Sequence, residues 1–243
     1  MADDKDKDRL PAQASDVSEI DAFLDHMKKT PAPAQKGGAG GGRLLFAMDA
    51  TASREPTWDM AAHIQGDMFN ATQGIGNLTV QLAFFRGFGE FKVSGWLSDP
   101  KEIHRLMSSV FCMAGQTQIG KVLKHARNQA ASTGIRALVY VGDSFEEDVD
   151  AVGHVAGELG ILGVPVFAFH EGQDPLARRA FQHIAKLSGG AYVHFDAASP
   201  DMLKKLLSAV AVFAAGGQGA LDDYAEVQGG DILRITSQLK GDG

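Results

Sequence analysis

Apolar residues along the chain fall into two patterns, and neither is sustained before residue 42. Short, largely apolar runs occupy residues 44–48, 78–85, 136–141, 165–169 and 191–195, the mark of strands covered on both faces. Between them, apolar positions recur every three or four residues. Residues 57–72 carry Trp58, Ala61, Ala62, Gln65, Met68 and Phe69 along one side, and 118–131 carry Ile119, Val122, Leu123, Ala126 and Ala130, so both predict helices. Further helices are predicted over 99–112, 148–162, 175–187 and 200–215, the first opening on Asp99 as N-cap with Pro100 at the first helical position. Residues 91–97, after Gly87-Phe88-Gly89, read as a hairpin partner of the preceding strand and a sheet edge. This alternation predicts an α/β domain: an open, mostly parallel sheet with helices on both faces and one short antiparallel edge strand. In such sheets ligands bind beyond the carboxyl ends of the strands, where strand order reverses. Chemistry is therefore expected just after Met48, Val141 and Phe169.

The flanks differ. Residues 1–42 open on charged, apolar-poor sequence, which predicts a mostly disordered tail. Within it residues 16–29 form a short amphipathic helix: Ile20, Phe23, Leu24 and Met27 make one stripe, and Asp16 and Glu19 suit its first turn. A Pro- and Gly-rich linker follows, so the helix can dock on its own domain or in a groove of a partner. The domain proper is expected over 43–217. An extension, 218–243, contains Leu221, Tyr224, Val227, Ile232, Leu233, Ile235 and Leu239, broken by Gly229-Gly230. It either packs on the domain or forms an interface.

Composition narrows the function classes. With 44% hydrophobic and 22% charged residues the chain is an ordinary globular one, and its net charge of −7 argues against nucleic-acid or anionic membrane surfaces as partners. Neither a signal peptide nor an apolar stretch of about 18 residues occurs, which predicts a cytoplasmic protein. The single cysteine, Cys112, follows Leu106, Met107, Val110 and Phe111 and is expected as a buried thiol on a helix face.

The candidate chemistry is made of oxygen. Asp49-Ala50-Thr51-Ala52-Ser53 places three oxygen-bearing side chains at alternate positions on the loop leaving the first strand. A carboxylate with two hydroxyls suits a hard cation such as Mg²⁺ or Mn²⁺ and suits Zn²⁺ poorly. Thr117, at the start of a helix, and Asp143, after a strand, offer oxygens at the same expected edge. Each alone also reads as a helix cap. Glu146, Glu147, Asp148 and Asp150 read as solvated charge at a helix N-terminus, and His170 as a polar rim-loop residue.

Asp49-Ala50-Thr51-Ala52-Ser53, then Thr117, then Asp143 resembles the metal-ion-dependent adhesion site of the von Willebrand factor A (VWA) domain, whose usual pattern is Asp-x-Ser-x-Ser, a later Thr and a later Asp. Gly115-Gln116-Thr117-Gln118-Ile119-Gly120 is similar to its threonine loop, and Leu187-Ser188-Gly189-Gly190-Ala191-Tyr192 to the turn before its last strand. The resemblance implies a Rossmann-like, VWA-like fold over about residues 43–217. It also implies a protein-binding module in which Thr51, Ser53 and Thr117 ligate Mg²⁺ or Mn²⁺, while Asp49 and Asp143 supply charge and orient waters. A partner's Asp or Glu completes the shell. Thr51 departs from the usual serine but keeps the hydroxyl.

Two other readings compete. The order Asp49, Lys121 or Lys124, then Gly142-Asp143-Ser144 and Asp148 resembles haloacid-dehalogenase-type phosphatases with Asp49 as nucleophile. That chemistry wants a second aspartate where Thr51 stands, and a hydroxyl is no general acid at neutral pH. The third reading is a structural subunit with an empty site.

Overall fold

A computed structural model describes residues 22–30, 41–72, 75–195 and 200–239. Six strands form one sheet: β1 (Gly42–Asp49), β2 (Leu78–Arg86), β3 (Glu90–Leu97), β4 (Ala137–Gly142), β5 (Val166–Glu171) and β6 (Tyr192–Phe195), in the order β3-β2-β1-β4-β5-β6. All pairings are parallel except β2 with β3, the expected antiparallel edge hairpin. The helices are α1 (22–28), α2 (Glu55–Ala71), α3 (Pro100–Ser108), α4 (Ile119–Ser132), α5 (Val149–Ile161), α6 (Pro175–Ser188) and α7 (Pro200–Leu239).

The unbroken apolar run of β1 is explained by cover on both faces. Leu44, Phe46 and Met48 enter a core with α1, α2, α3 and α7, while Leu45 and Ala47 enter a second core with α4, α5 and α6. β1 lies between two parallel neighbours, with Asp49 opposite Phe85 on one side and Met48 opposite Val141 on the other. The connection after β1 runs to β2 on one side and that after the adjacent β4 runs to β5 on the other, so the loops at these carboxyl ends diverge and open a crevice.

Helix ends follow local chemistry. Asp99, Asp148 and Asp174 cap α3, α5 and α6 by accepting from the amides of Lys101, Ala151 and Leu176, and Gly189 ends α6 in the left-handed conformation.

Four expectations need correction. α3 stops at Ser108 rather than 112, so Cys112 sits on the following loop, half-buried against the first core, and not on a helix face. Burial pushes its thiol up to about 11. His170 belongs to β5 and is fully buried, with Nδ1 3.0 Å from the Tyr192 hydroxyl, rather than lying on a rim loop. Burial takes its pKa down to about 4. The last helix does not end near 215: α7 runs to Leu239, and its one non-helical residue is Gly217, not Gly229-Gly230. Beyond that kink Leu221 and Ala225 are buried and Tyr224 packs on the core, so this part of the extension lies against the domain. The side chains of Ile232, Leu233, Ile235 and Leu239 lie outside the described set, as do those of Ala62, Gln65 and Phe69.

The short N-terminal helix docks on its own domain. Phe23, Leu24 and Met27 are buried, and the Phe23 ring meets Phe167 and Phe169 at centroid distances of 6.0 and 5.6 Å. Asp16, Glu19, Ile20 and the linker 31–40 lie outside the described residues. No described helix is long and apolar enough to cross a membrane.

Two outcomes follow. Phe23→Ala should cost roughly 3 kcal/mol in urea unfolding, and an unchanged midpoint would show that the helix does not dock in solution. Cys112 should react with a thiol reagent at pH 8 at least about tenfold more slowly than an exposed cysteine; equal rates would contradict its burial.

Candidate metal centre

At the carboxyl end of β1 the Asp49 carboxylate is fully buried. The Thr51 amide donates to its Oδ1 at 2.7 Å, a local turn that points the following hydroxyls back toward the strand end. Backbone bonds pin this loop on either side. The Ala50 amide donates to Phe85 O at 2.9 Å, and Ala50 O accepts from the Met113 amide at 3.0 Å. The loop from Met113 to Thr117 is held in turn by the Gln116 amide, which donates to Gly87 O at 3.2 Å. Gly115 is required there, because a Cβ would overlap the Gly87 backbone.

Of the five predicted residues, Thr51, Ser53 and Asp143 are linked through their side-chain oxygens, while Asp49, Thr51, Ser53 and Thr117, but not Asp143, line a common cavity. Thr51 and Ser53 hydroxyls lie 3.4 Å apart, and the Ser53 hydroxyl donates to Asp143 Oδ2 at 2.7 Å. Thr117 reaches the same place from the α4 side: Asp49, Thr51, Ser53, Thr117, Ser144 and Glu146 line one open cavity of about 230 Å³. The three loops after β1, before α4 and after β4 therefore contribute to one centre.

Glu146 and Glu147 are not simply solvated charge, as expected from sequence; they fasten two of these loops together. The Glu146 amide donates to the Thr117 hydroxyl at 3.0 Å, and the Thr117 amide donates to the Glu146 carboxylate at 3.3 Å. The Glu147 carboxylate accepts from the amides of Ile119 and Gly120, the latter at 2.9 Å, at the positive end of α4.

Sequence reasoning also missed Arg54. It follows Ser53 directly, is fully buried and pairs with Glu171 at the end of β5. No periodicity marks it; the only signal is a cation immediately after an oxygen-rich loop.

The electrostatics are those of buried acid. Asp49 is pushed up to about 6, chiefly by burial, with Asp143 adding and the Thr51 hydrogen bonds and Arg54 opposing. Asp49 Oδ2 and Asp143 Oδ1 are buried without a hydrogen-bond partner. Among the described residues no three or more His, Cys, Asp or Glu gather as a metal cluster.

Comparison with known proteins places the architecture. No protein-family model matches the chain, and no curated protein matches it. Solved structures do. A von Willebrand factor type A protein from Catenulispora acidiphila is 13% identical with a TM-score of 0.56, over 71% of this chain and 43% of that one. The SpRpn10 VWA domain is 16% identical with a TM-score of 0.53, over 69% and 94%. Proximal thread matrix protein 1 from the mussel byssus, in a structure with a zinc-occupied MIDAS motif, is 17% identical with a TM-score of 0.56, over 71% and 48%. The chain thus spans less than half of the first and third of these proteins. At such identities the likeness concerns the fold, which is the α/β fold of VWA domains.

The buried acid has a pH signature in metal-free protein. The fold holds the Asp49 proton more tightly than the unfolded chain does, so the contribution of Asp49 to stability rises as pH falls from about 6 toward 3.8. His170 acts oppositely: its pKa is depressed from 6.5, so its contribution is lost as pH falls from 6.5 to about 4. The Asp49 part is therefore read as a difference. In EDTA, Asp49→Asn should raise the unfolding midpoint at pH 7.5, and the advantage should shrink toward pH 5. A constant difference across that range would refute the burial account.

Proposed function

We propose that this VWA-like chain is a metal-dependent protein-recognition module, in which Asp49, Thr51, Ser53, Thr117 and Asp143 hold Mg²⁺ or Mn²⁺ and a partner's Asp or Glu completes the shell. The observation that carries the reading is the pair of buried, unpartnered carboxylate oxygens, Asp49 Oδ2 and Asp143 Oδ1: Asp49 lines a cavity with the hydroxyls of Thr51, Ser53, Thr117 and Ser144, and Asp143 is tied to it through the Ser53 hydroxyl. Buried carboxylate oxygens without donors cost free energy, and a hard cation with its waters answers both at once. An oxygen-only set with no Cys or His favours Mg²⁺ or Mn²⁺ over Zn²⁺. A bound divalent ion would supply a positive centre short of one ligand. Thr51, Ser53 and Thr117 would contribute neutral oxygens to it, and the two aspartates would supply charge. The mussel protein's zinc-occupied motif on a similar fold supports a cation here.

The same geometry supports a binding role over catalysis. A phosphatase would need a lysine at Asp49. Lys121 instead donates to Gly89 O at 3.0 Å and to Gln118 Oε1 at 2.8 Å, and Lys124 is exposed. His170 is buried in β5 and burial lowers its pKa to about 4, so it is a weak proton acceptor shielded from a substrate in the cavity. We place the module in the cytoplasm, within a protein complex, in keeping with its single unpaired cysteine.

Titration tests the centre. Millimolar Mg²⁺ or Mn²⁺ should raise the wild-type unfolding midpoint, by about 2.7 kcal/mol at 100 times Kd. EDTA should reverse the shift, and Thr117→Ala and Asp143→Ala should abolish it. No shift with any divalent ion would favour a structural subunit with an empty site. Affinity capture with and without EDTA, using wild type and Thr117→Ala, should recover a partner only with wild type and metal.

A further inference from the structure

Among the described residues Arg54 is the buried Lys or Arg, and its position follows from the strand order. It stands on the short turn Ala52–Arg54 after β1, with its amide donating to Thr51 O at 2.9 Å. Its guanidinium pairs with Glu171, the last residue of β5. β4 lies between β1 and β5, so the side chain crosses the end of β4, where Asp143 sits. Both Asp143 and Asp49 act on it electrostatically. Its Nε and Nη2 are buried without partners, as are Asp49 Oδ2 and Asp143 Oδ1. Two donors of Arg54 and one acceptor of each aspartate are thus unjoined, while Glu171 takes Nη1.

We propose that Arg54 is an internal counter-ion that competes with the divalent cation for Asp49 and Asp143, and that Glu171 sets the outcome by holding the guanidinium on the β5 side. This rests on the metal reading above. Three carboxylates against one guanidinium leave two net negative charges, which a single divalent ion neutralises. Were Glu171 uncharged, the guanidinium would be free to satisfy its orphan donors on the two aspartates, and one net negative charge would remain. Were Arg54 neutral, the cation would face the full carboxylate field. Since these groups are shielded from water, each unit of charge weighs heavily on a divalent ion. The pair therefore selects a moderate affinity rather than merely bracing β1 against β5.

Isothermal titration with Mg²⁺ and Mn²⁺ alone tests this, with unfolding midpoints in EDTA to establish that each variant folds. Glu171→Gln should weaken divalent binding by on the order of tenfold, since the guanidinium then turns to the aspartates. Arg54→Gln should strengthen it by a similar factor. Should that variant fail to fold, Arg54→Met, which keeps an apolar stem in the buried site and removes the charge, should also strengthen binding. Affinities within twofold of wild type in folded Glu171→Gln and in a folded Arg54 variant would overturn the proposal and leave the pair a structural brace. Absence of metal binding by wild type would instead remove the reading on which it rests.

Discussion

The chain's architecture turns on a carboxylate that the protein buries but does not neutralise. Asp49 ends a central strand whose connection runs to β2, while that of its other neighbour β4 runs away to β5. The crevice this opens is the natural place for a ligand, yet here it begins with an acid beneath the surface rather than on it. A buried charge is tolerated when something compensates it. The surrounding loops supply part of that: the Thr51 amide on one oxygen, a guanidinium nearby, and a hydroxyl on the neighbouring Asp143. The compensation stops short at one oxygen of each aspartate, and Asp49 lines the cavity.

A centre built from three loops needs those loops fixed before any ligand arrives, because ordering them on binding would cost affinity. The chain achieves this largely with backbone. Ala50 is bonded to β2 on one side and to Met113 on the other, and Gly115 lies against Gly87 closely enough to exclude any side chain. Thr117 and Glu146 exchange reciprocal bonds, and Glu147 seats on the first amides of α4. The acidic stretch after Asp143 thus positions the threonine while placing negative charge at a helix N-terminus, where it is favourable.

How much of this was legible in the sequence follows from which forces are local. Strand runs and helix periodicity record burial on one or two faces, so all six strands and the main helices were readable, as was the Asp99 cap. Spacing on one loop placed Asp49, Thr51 and Ser53 on one cavity, and topology brought Thr117 to its lining and Asp143 to the Ser53 hydroxyl. Long-range facts were not readable. Cys112 continues an apolar pattern that resembles a helix, but the chain leaves α3 at Ser108 and runs toward the rim, where tertiary contacts prevail over periodicity. His170 looks like a rim residue because Glu171-Gly172 follows it, yet it pairs with Tyr192 across β5 and β6. Arg54 and Glu171 are 117 positions apart, and only the order β1-β4-β5 makes them neighbours.

The same reasoning explains why the N-terminal helix packs where it does. α2, α3 and α7 contribute to the first core along with β1, β2 and β4, but Phe167 and Phe169 of β5 also point into it. Phe213 of α7 reaches Phe167, and α1 brings Phe23 to both rings. A sheet that adds a strand on the far side of its switch point adds apolar surface on both faces, and each face needs its own cover. On the second face α5 and α6 come with the connections themselves. On the first, part of the cover comes from a segment that precedes β1 in the chain. A helix of two turns is too short to be stable alone, so its apolar stripe is best understood as the complement of the β5 rings. Phe23, Leu24 and Met27, which could have served a partner, are thereby spent within the fold.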